Sequence, residues 1–86
     1  MTPEQSGQGQ SVLFVELKGG DAAEVLRPLL WLLAGQPGFG GGELLTSPDQ
    51  PHLALVQARF SGGPPRMSLP EGARSWTFTV IEAVPR

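Results

Sequence analysis

Three segments of this chain alternate between apolar and other side chains, and that period of two commits much of its length to β-strands. In residues 11–18, Leu13, Val15 and Leu17 point one way, and Val12, Phe14, Glu16 and Lys18 the other. In residues 52–60, Ala54, Val56, Ala58 and Phe60 form one face, and Leu53, Leu55, Gln57 and Arg59 the second. In residues 75–84, Trp76, Phe78 and Val80 alternate with Thr77, Thr79 and Ile81. A shorter strand is predicted over residues 43–46. It follows Gly40, Gly41 and Gly42, where a bulge or a close backbone approach is expected.

Between the first two strands lies one helical pattern. Asp21 followed by Glu24 has the form of a capping box. Val25, Leu26, Leu29, Leu30 and Leu33 then recur as one broad stripe. Pro28 lies inside it, and its missing donor and its restriction on Arg27 predict a kink or two short pieces. Trp31 and Leu32 fall off the stripe and are expected to widen the core, with a subunit contact as the alternative. Residues 35–38, Gly-Gln-Pro-Gly, stop the helix. Residues 47–51, Ser-Pro-Asp-Gln-Pro, form a turn, so strands 43–46 and 52–60 make a hairpin. Residues 61–74 hold three glycines and three prolines and read as a loop with room for one helical turn.

The chain has 86 residues, enough for one small domain over residues 11–86. The polar residues 1–10 are expected to be a flexible tail. A domain this short buries only about 60% of its unfolded surface and commonly leans on a disulfide, a metal or a partner. With no cysteine and a single histidine, His52, a lone chain has neither a disulfide nor a multi-histidine metal site. Oligomerisation is the staple that remains. Six basic and eight acidic residues give a net charge of −2, and the basic residues are scattered, which argues against a nucleic-acid partner. The longest apolar run, residues 29–34, is far short of the roughly 20 residues a membrane span needs. The polar start has no basic n-region, so no signal peptide is read and a soluble, cytoplasmic protein is expected.

The order strand, helix, strand, strand, loop, strand matches an α+β fold of ferredoxin-like type with its second helix reduced. A four-stranded antiparallel sheet is expected, although the helical crossover also allows a parallel neighbour for the first strand. Phe14, Leu45, Leu53, Leu55 and Ile81 make the second sheet face apolar in part, and a sheet apolar on both sides asks for a second cover.

Residues 36–45, Gln-Pro-Gly-Phe-Gly-Gly-Gly-Glu-Leu-Leu, together with the turn 47–51 and the strand 53–60 ending in Phe60, resemble the antibiotic biosynthesis monooxygenase-like family of dimeric α+β barrels. The likeness covers residues 11–60, with residues 75–84 as the final strand. It implies a homodimer whose two sheets enclose a barrel, with a pocket in each subunit between sheet and helix or loop. It implies cofactor-free oxidation of a small hydrophobic or aromatic molecule. Active members commonly carry a Trp where Phe60 stands, and an Asn, whereas this chain has no Asn and no Tyr.

Glu16 and Arg59 lie on the less apolar faces of their strands, with Gln57, Lys18, Thr77 and Thr79 assigned to equivalent faces. Enclosed charges must be paired. The pair is read as a structural ion pair, as exposed side chains on an uncovered sheet, or as a polar floor on which Arg59 holds an anionic or carbonyl group. With the aromatic Phe60 and Trp76, the ligand-binding candidates are Glu16, Gln57, Arg59, Phe60 and Trp76; no catalytic residue, metal or cofactor is assigned. His52 reads as a surface turn residue. No serine has a nucleophile-elbow context. The glycines at 38 and 40–42 precede a strand rather than a helix, the reverse of a phosphate loop. Two functions are expected from these residues: a monooxygenase-like enzyme, or a non-catalytic ligand-binding or structural dimer on the same scaffold.

Overall fold

The structure, a computed structural model, describes residues 10–85. Its elements are β1 (Gln10–Lys18), α1 (Ala22–Ala34), β2 (Phe39–Thr46), β3 (Leu53–Ser61) and β4 (Arg74–Thr79). The expected tail lies outside the described residues except for Gln10, which opens β1.

The strands form one sheet in the order β2-β3-β1-β4, and every neighbouring pair is antiparallel. This α+β arrangement is compatible with a ferredoxin-like fold. The parallel neighbour allowed for β1 does not occur, because β3 returns from the hairpin into the slot beside β1. The division is physical: β3 carries apolar residues on both faces and suits a central slot, whereas the glycine-rich β2 is a weak strand and takes an edge. Residues 62–73 form no helix. Their start is held by the buried Ser11, whose Oγ donates to the Gly62 carbonyl at 2.7 Å.

The core lies between the sheet and α1. Leu13, Val15 and Leu17 of β1 and Ala54, Val56, Ala58 and Phe60 of β3 meet Ala22, Leu26, Leu29 and Leu33 of the helix. The small Ala54 and Ala58 let the helical leucines approach β3 closely. Each fully buried leucine or phenylalanine stabilises the fold by roughly 1.5–3 kcal/mol.

Several local expectations are corrected. α1 runs unbroken through Pro28 rather than as two pieces. Pro28 and Glu24 are both exposed, so the carbonyl deprived of its helical donor is open to water. Asp21 occupies the N-cap position, yet its side chain makes no cap hydrogen bond. Glu24, in the first turn, still complements the helix dipole. Trp31 and Leu32 are 72% and 58% exposed, not core, because among the described residues no layer covers the outer side of α1. β4 ends at Thr79 rather than Val84. Its last ladder partner is Ser11, and the Val80 N–H makes a final bond to the Gln10 carbonyl at 3.1 Å. Beyond it Ile81 and Val84 are almost fully exposed. β2 includes all three glycines, with the expected bulge between Phe39 and Gly42. Among the described residues no helix is long and apolar enough to cross a membrane.

Candidate functional site

The sheet face turned away from α1 carries most of the residues singled out from the sequence. Register places Trp76, Phe14, Gln57 and Glu43 in one row across the four strands, and Arg74, Glu16, Leu55 and Leu45 in the next. Phe14 stacks on Trp76 at 5.9 Å between ring centroids and meets Phe78 edge-on at 5.6 Å. Glu16, Gln57, Arg59 and Trp76 therefore share one face. Phe60 does not. It points to the opposite face, is completely buried, and packs edge-on against Phe39 at 5.7 Å. Period-two geometry requires this, since Arg59 and Phe60 are adjacent on one strand.

Glu16 and Arg59 are not paired. Glu16 lies opposite Leu55 and Arg59 opposite Val12, at well-separated points of the ladder. Arg59 instead holds Glu43 with both terminal nitrogens, Nη2 to Oε2 at 2.8 Å and Nη1 to Oε1 at 3.3 Å. That hydrogen bonding holds the Glu43 carboxyl below its ordinary range, with burial opposing it, and raises Arg59 in turn. The nearest cation to Glu16 is Arg74 at 4.0 Å, with an arginine side chain 75% exposed. Arg59 is thus already occupied as an anion holder. Thr77 and Thr79 also depart from expectation: their strand turns them to the helix side, and Arg74, Trp76 and Phe78 to the open face.

The opposite face holds the cavity. α1 packs over β1, β2 and β3 and does not reach β4. Where a second helix would lie, residues 62–73 cross instead, leaving a cleft of about 410 Å³. Leu13 and Val15 form its floor, and Leu29 and Leu33 one wall. Pro64, Pro65, Met67 and Leu69 form the other wall, with Arg66, Ser75 and Thr77 as the polar groups of the lining. Ser75 and Thr77 reach it because they alternate with Trp76 on an edge strand no helix covers. Arg66, Met67, Leu69 and Ser75 are not among the residues expected at a site, and Thr77 is expected beside Glu16 and Arg59 instead. The available signals were Met67 and Leu69, the large apolar residues of a Gly/Pro-rich loop, and the hydroxyl-only face of β4.

His52 is exposed in the turn before β3, where its carbonyl accepts the Gly19 N–H at 2.8 Å. Among the described residues no three His, Asp or Glu side chains converge as a metal site. No protein-family model matches the chain, and no curated protein or solved structure shows a significant match to it. Fold and site define a small α+β domain with an open sheet face and, on the opposite side, a cleft between helix, sheet and loop.

Proposed function

We propose that the chain is one subunit of a homodimer whose open sheet faces close on each other, and that each subunit binds a small hydrophobic or aromatic molecule in its cleft without a cofactor. One observation carries both parts: β4 sends Trp76 and Phe78 to the open face and Ser75 and Thr77 to the cleft. Phe78 is 59% exposed and Leu45 39%, on a face that also bears Phe14, Leu53 and Leu55. An apolar patch of this kind marks an interface. A second copy covering it would form the α+β barrel that the family resemblance implies. The cleft, at about 410 Å³, falls in the range of small-molecule sites, roughly 300–1,000 Å³, which pair apolar walls with a few polar groups.

Binding without chemistry is the better supported half of the two expectations. Arg66, Ser75 and Thr77 supply donors, and none of them is a base at neutral pH. Oxidation of a bound aromatic molecule would need a proton acceptor, and among the described residues the cleft lining holds no carboxylate or imidazole.

Titrating a neutral naphthalene derivative into isotope-labelled protein, followed by amide chemical shifts, tests the site. The expected result is saturable shifts at Leu13, Leu29, Met67 and Thr77, lost in Met67→Trp, which fills the cleft. Shifts confined to Phe14, Gln57 and Trp76 would move the ligand to the open face and end the cleft reading.

A further inference from the structure

We infer that the cleft selects an amphipathic carboxylic acid, its one- or two-ring apolar body against Leu29 and Met67 and its carboxylate at Arg66, beside the Ser75 and Thr77 hydroxyls. The inference rests on the binding reading above and adds the ligand class. Arg66 is the one charged residue of the cleft lining, and among the described residues no carboxylate lies within 4.0 Å of it. Arg59 and Arg74 each have a carboxylate that near, so the anion-holding role expected of Arg59 falls to Arg66. Pro64 and Pro65 immediately precede Arg66. Their fixed φ angles restrict the backbone that leads to it. A guanidinium grips a carboxylate through two parallel hydrogen bonds, and hydroxyls can donate to the same oxygens. The net charge of −2 gives no general attraction for anions, so affinity for an acid would have to come from this one local cation.

The experiment compares 2-naphthoate with 2-naphthalenemethanol, near-isosteric apart from the charge, by calorimetry and amide shifts on the wild-type chain and on Arg66→Gln. Arg66 is exposed on the loop, and the amide spectrum of the variant reports directly whether it folds. The expected result is that the acid binds at least tenfold more tightly than the alcohol, and that Arg66→Gln brings the acid down to the alcohol's affinity. Equal affinities on the wild type would overturn the acid class and leave the cleft reading standing. Cleft resonances that respond to neither compound would overturn the cleft reading as well. An acid preference that survives Arg66→Gln would overturn the role of Arg66.

Discussion

Arg59 reaches diagonally across the β2–β3 ladder to grip Glu43 at 2.8 Å, and it does so through space left by Gly41. A Cβ at Gly41 would stand 2.9 Å from Arg59 Nη2, and the backbone there has φ +123°, which L side chains rarely adopt. The neighbouring Gly42 is tighter against immovable atoms, with a Cβ 2.7 Å from the Gln57 carbonyl oxygen. The bulge that sets the β2 register is therefore built from glycines with two distinct tasks.

These contacts order a substitution series. Gly42→Ala should destabilise most, by about 2–3 kcal/mol, since backbone must move. Gly41→Ala should lose about 1–2 kcal/mol through backbone strain and displacement of Arg59. Gly63→Ala, with open space around it, should stay within about 0.5 kcal/mol of wild type. Urea unfolding midpoints measure the order, and a Gly63→Ala loss as large as that of Gly42→Ala would contradict it.

The ion pair sets a small acid-dependent part of stability. Glu43 has a lowered pKa in the folded chain, so its contribution is complete above the ordinary value of 4.5 and is lost as pH falls through the lowered one. Because the two side chains are 34% and 44% exposed, the amplitude should stay under about 1 kcal/mol. Comparing Glu43→Gln with wild type at pH 7 and pH 3 should show a stability difference at pH 7 that shrinks at pH 3. A difference that grows on acidification would refute the assignment.

Phe60 and Phe78 should separate folding from association. Phe60 is completely buried, and Phe60→Ala should cost about 3–5 kcal/mol, enough to unfold a domain of this size. Phe78→Ala removes an exposed ring and should leave the circular dichroism of the folded chain intact while weakening self-association. A folded Phe60→Ala with wild-type melting would show the core to be misplaced.

Much of this fold is legible in residue order. The alternation in β1 and β3 gave the correct inward residues, because a strand with one fully apolar face can bury only that face. The β4 pattern was equally regular, yet its aromatics face away from the helix. Alternation alone does not say which face turns inward, and β4 lies beyond the reach of α1. The Glu43 partner of Arg59 was hidden because β2 register depends on a bulge among three glycines. Pro28 suggested a break, but an exposed position tolerates the missing bond. Phe60 is a binding candidate only through the family resemblance, against the period of its own strand. The cleft depends on where residues 62–73 cross the sheet, which no local pattern encodes.

The proposed division of β4 between an interface face and a cleft face is tested most directly by the mass in solution. Light scattering at micromolar concentration should give a stable species near twice 9.1 kDa for the wild type and a folded monomer for Phe78→Glu. A wild-type mass of 9.1 kDa, with Phe78 and Trp76 left in water, would contradict the account.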